Sequence, residues 1–350
     1  MRGFIGKFKI PLLLTLLVLV LSGCGKENIS ALIPKGYGAE VSMDLIVLTT
    51  SVMTFVFLSV MIIYTIVLVR FRKRKGTEDY IPKQVEGSKT LETIWTIIPI
   101  ILVVIMLVPT VMAEFELADA DDRDDYINIK VTGNQYWWHF DYEDEGFQTS
   151  QDLYIPAGKK VYLDLVTDDV LHSFWVPSLS GKIDANPENV NTMFLETDEE
   201  GVYYGKCAEL CGPSHALMDF KVIVVSPEEY EQWVSDMKNF DPEDQELDAV
   251  AEEGKDLFEE KNCMNCHAVG SSDSQTGPNL TGFGDRTKIA GILEPTKENL
   301  IEWIQDPESI KPGNKMTDTY PELSDDEADK IAEYLMELKA SDVTPDSVND

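Results

Sequence analysis

Two cysteines, a histidine and a methionine lie close together in the segment KCAELCGPSHALM, residues 206–218. Cys207, Cys211, His215 and Met218 follow one another with the spacing C-x3-C-x3-H-x2-M. Thiolate, imidazole and thioether groups are soft ligands, and such a set favours copper. Two thiolates that bridge two copper ions would let the ions share one electron with little change of geometry. The segment therefore predicts a dinuclear copper site that is suited to electron transfer.

The copper hypothesis needs a second histidine from outside this segment. The chain has four histidines, and His172, in the strand-end segment LHSFWVP, is the best placed of them. Two alternatives use the same cysteines. Cys207 and Cys211 would form a short-loop disulfide in an oxidising compartment, or they would join two histidines in a tetrahedral zinc site. Each leaves His172 or Met218 unexplained, and Met218 could also be an ordinary core residue.

A second motif follows about fifty residues later, in the order Cys263-Met264-Asn265-Cys266-His267. C-x-x-C-H is the attachment motif for c-type haem. The two thiols add to the haem vinyl groups, and the adjacent histidine binds the iron. A redox-active C-x-x-C pair is the alternative, which the following histidine and a secreted location disfavour.

The sixth ligand of the haem iron is expected downstream of His267. We predict Met316, at the end of KPGNKM, because histidine with methionine gives a high reduction potential. Met336 is the rival. It lies in a helix predicted after Ser324, whose spacing to Glu327 is a capping box, and we assign Met336 to the edge of an apolar stripe.

The start of the chain predicts a lipid anchor. Residues 1–23 combine a basic start with an apolar run of twelve residues, which is too short to span a bilayer. Leu-Ser-Gly directly before Cys24 resembles a bacterial lipoprotein box, so we expect Cys24 to carry lipid at the new N-terminus. Ordinary signal cleavage is the alternative.

Residues 24–114 are expected to form this anchored N-terminus and a membrane hairpin. Two runs without charges, about 45–69 and 93–113, are long enough to span a bilayer. The basic segment RFRKRK between them predicts a cytoplasmic loop, so both ends of the hairpin face outward. Glu92, at the cytoplasmic mouth of the second helix, is either a solvated helix start or the entrance of a proton path.

Residues 125–226 read as a β domain. They are rich in Val, Ile, Tyr and Phe, with alternating apolar positions such as Val161, Leu163 and Leu165. This pattern predicts a Greek-key sandwich or barrel. A short helix capped by Ser226 and an acidic linker should occupy residues 227–248. The haem-bearing domain then covers 249–340, and we expect a disordered tail at 341–350.

The net charge of −33 is concentrated after Ala113. Such a surface repels phosphate, which argues against nucleic-acid binding and favours a basic partner.

The motif C-A-E-L-C-G-x-x-H-x-x-M, together with the hairpin, resembles subunit II of haem–copper cytochrome c oxidases over about residues 42–225. With the C-x-x-C-H motif behind it, the chain resembles the caa-type form of this subunit. The resemblance implies a two-helix transmembrane hairpin, an all-β cupredoxin-like domain and an all-α class I cytochrome c domain. The copper ligands it implies are His172, Cys207, the backbone carbonyl of Glu209, Cys211, His215 and Met218.

The family resemblance also implies a function. The chain would be the electron-entry subunit of a proton-pumping terminal oxidase in a bacterial cell membrane, with its copper and haem domains outside. Electrons would pass from a small basic cytochrome c through haem c and copper to haem a in subunit I, which reduces oxygen to water. The Glu209 side chain would face a magnesium or manganese ion at the border with subunit I, and Glu92 would open a proton path.

Two segments depart from the family pattern. Residues 135–138 read QYWW where the family has Q-W-Y-W, which leaves open which of Tyr136, Trp137 and Trp138 lies on the electron path. Glu188 and Asn189 stand where the family has Gly-Arg at the contact with subunit I.

Other classes of protein fit the sequence less well. A copper chaperone has no use for a covalent haem, and a reductase with the same copper motif needs more than four histidines. A quinol-oxidising subunit II would lack the copper cysteines.

Overall fold

The computed structural model describes residues 25–72, 86–118, 123, 126–270 and 276–348. The predicted signal peptide, the lipid site at Cys24 and most of the basic loop lie outside the described residues.

Two long helices precede the β domain, α1 at Tyr37–Arg70 and α2 at Lys89–Leu117. Both are long and apolar enough to cross a membrane. They extend beyond the predicted runs because helix formation continues into their polar ends. The Tyr37 hydroxyl donates to the Glu116 carboxylate, so the start of α1 lies beside the end of α2. This arrangement agrees with the predicted hairpin, whose two ends lie on the same side.

The β domain is attached at that end of the hairpin. The backbone N–H of Tyr37 donates to the Glu196 carbonyl at 2.9 Å, and that of Lys35 donates to the Ser178 carbonyl at 2.7 Å. The first turn of α1 is therefore fixed to the sheet domain rather than joined to it by a free linker.

Ten strands form two five-stranded sheets, with the orders β3-β2-β1-β5-β8 and β4-β10-β9-β6-β7. The strands are β1 Ile127–Asn134, β2 Trp137–Tyr142, β3 Phe147–Ser150, β4 Asp152–Pro156, β5 Val161–Thr167, β6 His172–Trp175, β7 Lys182–Ala185, β8 Asn191–Leu195, β9 Gly201–Cys207 and β10 Asp219–Val225. Fully buried aromatic rings, including Trp138, Phe174 and Phe220, fill the space between the sheets. The predicted sandwich of the cupredoxin type is confirmed.

Five helices, joined by long irregular segments, follow in the described part of the chain: α3 Pro227–Asn239, α4 Ala249–Glu260, α5 Lys297–Gln305, α6 Pro307–Ile310 and α7 Asp325–Glu337. Both predicted N-caps are present, because Ser226 and Ser324 each form a capping box with the glutamate three residues later. Gly254 lets α4 lie against α7, since a Cβ there would lie 2.0 Å from the Lys330 carbonyl oxygen. The predicted helical domain is confirmed.

The tail differs from the expectation of disorder, which is wrong for residues 341–348. Val343 and Val348 are buried in the core of the β domain. The Ser341 hydroxyl donates to Asp236 of α3 at 2.6 Å, and the half-buried Asp285 carboxylate accepts the Ala340 N–H at 2.7 Å. The sequence of residues 341–350 does not indicate order, because Val343 and Val348 have no apolar partner within this acidic segment. Their partner is a domain that ends more than a hundred residues earlier.

Candidate metal centre and haem cavity

Three paired strands bring the predicted copper ligands to one corner of the sandwich. Cys207 ends β9, and Met218 directly precedes β10, which pairs antiparallel with β9. The loop between them carries Cys211 and His215. His172 begins β6, which also pairs with β9, through Phe174 and Cys207.

The donor atoms of these five residues are neighbours in space. The Sγ atoms of Cys207 and Cys211 are 3.9 Å apart. His172 Nδ1 lies 3.8 Å from Cys207 Sγ, and His215 Nδ1 lies 3.7 Å from Cys211 Sγ. Met218 Sδ is 3.9 Å from Cys211 Sγ. Each thiol therefore has its own imidazole.

A backbone carbonyl completes the set. The Glu209 carbonyl oxygen lies 3.3 Å from Cys207 Sγ, which is where the family resemblance places a ligand. Both cysteines are free thiols, and their separation is well beyond the roughly 2.05 Å of a disulfide. Cys207 thus has an imidazole and a carbonyl beside it, and Cys211 has an imidazole and a thioether. Each half has one thiol and one imidazole, and together with the thioether this set fits copper better than one tetrahedral zinc ion.

The surroundings favour a thiolate at this corner. A hydrogen bond from the Cys211 thiol lowers the pKa of Cys207 and raises that of Cys211. Burial opposes a charged imidazole at His172, yet hydrogen bonds with Asp169 and Cys207 outweigh it and raise the pKa of His172. One thiolate is therefore held between its two neighbours, and a thiolate is the form that binds metal.

Two residues that the sequence analysis did not single out support this centre. Asp169 Oδ1 lies 2.8 Å from His172 Nε2, which leaves Nδ1 facing Cys207. A carboxylate on the outer nitrogen fixes the orientation of a metal-binding imidazole. Gln135 donates from its side chain to the Cys211 carbonyl and from its backbone N–H to Asp169 at 2.9 Å. The D-x-x-H spacing before His172 is the signal that could have identified Asp169.

The four predicted haem residues lie on one cavity of about 290 Å³ in the helical domain. It is lined by Cys263, Cys266, His267 and Met316, among others. His267 Nδ1 donates to the Pro278 carbonyl at 2.9 Å, which leaves Nε2 to face the cavity. Burial lowers the pKa of His267, so the imidazole is neutral, as iron binding requires. Burial also raises the pKa of Cys263 to about 11.

The loop that carries Met316 is shaped by one side chain. Asn314 accepts hydrogen bonds from the backbone N–H groups of Met316 and Thr317, each at 2.9 Å, and it donates to the Lys311 carbonyl at 2.8 Å. Met336, on α7, packs against the helical core. Among the described residues, the cavity lining includes Met316 and does not include Met336.

The remaining predicted site residues lie as follows. Glu92 is exposed in the first turn of α2, and the Glu209 side chain is half-buried. Trp138 is fully buried, with its ring centroid 6.0 Å from that of His172. Tyr136 and Trp137 line the haem cavity.

Residues of the β domain thus form part of the haem cavity. Gln135 lines it as well as bonding the copper loop, and Gln151 also contributes. The Ser214 hydroxyl, beside His215, donates to the Pro312 carbonyl at 2.8 Å. The two sites are joined by a shared wall, which local motifs alone do not reveal.

Comparison with known proteins agrees with this arrangement. Three family models match: the transmembrane domain of cytochrome c oxidase subunit II at residues 40–112, its periplasmic domain at 145–226, and cytochrome c at 251–339. Cytochrome c oxidase subunit 2 of Bacillus subtilis is 48% identical, over 95% of this chain and 98% of that protein. The protein of the same name from Alkalihalophilus pseudofirmus is 49% identical, over 93% and 96%.

A solved structure is similar to about a third of the chain. The periplasmic domain of subunit II of cytochrome oxidase from Bradyrhizobium japonicum is 31% identical, covers 31% of this chain and 91% of that one, and has a TM-score of 0.31. The relatives match along nearly the whole length, and the cytochrome c model matches behind the copper domain. The chain therefore belongs to the cytochrome c oxidase subunit II family, in the form that carries a C-terminal cytochrome c domain.

Proposed function

We propose that this subunit accepts electrons from a small external cytochrome c and delivers them to haem a in subunit I of a proton-pumping terminal oxidase. A covalent haem c and a dinuclear copper centre supply the one-electron chemistry when they are bound. The observation that carries the proposal is the shared wall. Gln135 lines the haem cavity and also bonds the Cys211 carbonyl of the copper loop, so the two redox sites adjoin within one chain.

Each side chain has a role in this proposal. Cys263 and Cys266 would attach the haem, and His267 and Met316 would be the ligands of its iron. Cys207 and Cys211 would supply the thiolates that hold the copper. The remaining copper ligands are His172, His215, Met218 and the carbonyl of Glu209.

The test is metal and haem analysis of the full-length chain, purified in detergent from cells that attach haem and supply copper. We expect two copper ions and one covalent haem per chain, with a mixed-valence EPR signal. A Met316→Leu variant should lose the sixth haem ligand and keep the copper signal, while Met336→Leu is the matched control. Zinc in place of copper would contradict the copper assignment, and a Met336→Leu variant with altered haem spectra would contradict the choice of Met316.

The electron donor is proposed to be basic. The part of the chain after Ala113 is strongly acidic, and opposite charges accelerate association at low ionic strength. We expect oxidation of a basic cytochrome c to slow as salt rises from about 10 mM, where the screening length is about 30 Å. A rate that does not change with salt would remove the electrostatic part of the proposal.

Three finer assignments concern the membrane and its border. Cys24 would carry lipid, the Glu209 side chain would bind magnesium or manganese together with subunit I, and Glu92 would open a proton path. For Glu92, we expect Glu92→Gln to slow proton uptake by the assembled oxidase without changing copper or haem spectra. Glu86→Gln, which alters an exposed carboxylate just before the same helix, is the matched control. Equal rates of proton uptake in the two variants would mean that Glu92 is only a solvated residue at the start of the helix.

A further inference from the structure

The haem cavity has a charge opposite to that of the chain. The sequence has 62 acidic and 29 basic residues, yet the cavity lining within the described residues includes four cations and no carboxylate. The four cations are Arg286, Lys288, Lys311 and Lys315. A cavity lined in this way is complementary to an anionic ligand, and haem carries two carboxylates.

Lys311 is the most buried of the four cations, although Arg286, like Lys311, donates to a backbone carbonyl rather than to a carboxylate. Lys288 pairs with Glu294, Lys315 pairs with Asp169 at 2.7 Å, and the Arg286 guanidinium donates to the Asn279 carbonyl at 2.6 Å. Lys311 is only 3% exposed.

Within the described residues, the Lys311 ammonium donates one hydrogen bond, at 2.9 Å, to a neutral group, the backbone carbonyl of Tyr136. An ammonium has three N–H donors, and burying it without an anion is costly. Burial lowers the pKa of Lys311 to about 7, and the more distant Asp219 acts in the opposite direction. The site therefore has a buried amine with unused donors on the wall of a cavity whose described lining carries basic side chains and no carboxylate.

The position of Lys311 connects the two domains. It follows α6 in the helical domain, whereas Tyr136 lies between β1 and β2 of the β domain. Pro312, the next residue, accepts the Ser214 hydroxyl of the copper loop at 2.8 Å. A group that binds Lys311 in the cavity would thus also act on the boundary between the domains.

We propose that Lys311 is a further haem-binding residue that also holds the domains together. Its ammonium binds a haem carboxylate while it donates to the Tyr136 carbonyl. Haem binding and docking of the helical domain then stabilise each other, because a coupling between two events is reciprocal. This inference rests on the proposed attachment of haem at Cys263 and Cys266.

The test uses the full-length chain with haem attached, and three variants. Lys311→Met removes the charge and keeps an apolar stem. Lys311→Gln removes the charge and keeps a donor for the Tyr136 carbonyl. Lys288→Met is the matched control, because it removes a cation from the rim of the same cavity that already pairs with a carboxylate.

The first measurement is the midpoint potential of the haem. A nearby cation favours the reduced haem, so its loss should lower the equilibrium constant for reduction. We expect about a tenfold decrease for Lys311→Met and Lys311→Gln, equivalent to about 59 mV for one electron. Lys288→Met should change the constant by less than about twofold, since its charge is paired and partly screened. Potentials for both Lys311 variants that match the Lys288→Met control would overturn the carboxylate contact.

The second measurement is cleavage by a glutamate-specific protease within the exposed linker, residues 241–247, followed by fragment mass. It compares the haem-loaded chain with a haem-free Cys263→Ala/Cys266→Ala chain. The haem-free chain should be cut several-fold faster, and Lys311→Met should abolish this difference, whereas Lys311→Gln should keep part of it. Equal cleavage of the loaded and haem-free chains with Lys311 intact would overturn the coupling. Covalent haem content is measured first on every sample, and its absence from the unaltered chain would overturn the proposed function and this inference with it.

Discussion

The copper corner and the haem cavity are built in opposite ways. At the copper corner, the neighbouring sulfur and nitrogen atoms lie 3.7–3.9 Å apart, on a loop whose two ends are fixed by paired strands. The haem cavity is walled by residues of α4, α5, α7 and the loops between helices, and by residues 135–137 and Gln151 of the β domain. One site is a local product of a sheet, and the other requires two domains to meet.

This difference predicts how each site responds to damage. A change in the copper loop should affect copper and leave the haem intact. A change at the domain boundary should affect the haem and leave copper intact. Changes that affect both would show that the sites are less separable than their construction indicates.

The largest effect is expected for Cys207→Ser, which removes one of the two neighbouring thiols at the copper corner. Copper binding should be lost, and cytochrome c oxidation by the assembled oxidase should fall on the order of a hundredfold or more, since even outer-shell changes cost about 10–100-fold. The haem spectrum and covalent haem content should not change. Copper analysis, EPR and turnover measure this, and a loss of haem in the same variant would break the comparison.

A smaller effect is expected for Asp169→Asn, because the amide is a weaker acceptor for His172 Nε2. Copper affinity should fall by about 10–100-fold, measured by competition with a chelator. Asp168→Asn changes the exposed neighbouring carboxylate and is the control. Equal affinities in the two variants would show that the sheet alone orients His172.

Removing residues 341–350 tests how much the tail stabilises the β domain, into whose core it packs. Loss of the buried Val343 and Val348 should lower the free energy of unfolding of the β domain by about 3 kcal/mol, at roughly 1.5 kcal/mol per buried valine. Chemical denaturation followed by the copper absorbance measures this. The control is a chain that lacks only its last two residues. An unchanged midpoint would mean that the two valines contribute little to the core.

The smallest effects are expected for the two helix caps. Ser226→Ala and Ser324→Ala should each lower the free energy of unfolding by about 1 kcal/mol. The first should shift the unfolding transition seen in the copper absorbance, and the second should shift the transition seen in the haem absorbance. Urea unfolding followed at both chromophores separates the two. If each variant shifts both transitions equally, docking makes the two domains unfold as one unit.

The sequence predicts most where the chemistry is local. Cys207 to Met218 form one loop, and Cys263 to His267 form one turn, so spacing alone indicated their chemistry. His172 was found because histidines are few and because it lies at a strand end. Alternation of apolar residues likewise predicted the sandwich, and the N-cap residues Ser226 and Ser324 predicted the starts of α3 and α7.

The remainder depends on distant pairs that spacing does not encode. The spacing of Asp169 to His172 could have indicated that contact, but the pairing of Asp169 with Lys315 across the domain boundary could not be read from spacing. Nothing in the segment KPGNKM indicates that Lys311 is buried. Only the structure shows its hydrogen bond to the Tyr136 carbonyl of the other domain. The sequence of the tail is that of a solvated acidic segment. The structure shows that Val343 and Val348 pack into the core formed by the β domain and α3.

The ordered tail has a consequence for the making of the protein. Val343 and Val348 leave the ribosome after every residue of the cytochrome c domain, yet they complete the core of the β domain, which is synthesised first. The β domain therefore cannot reach its final packing until the helical domain has been made.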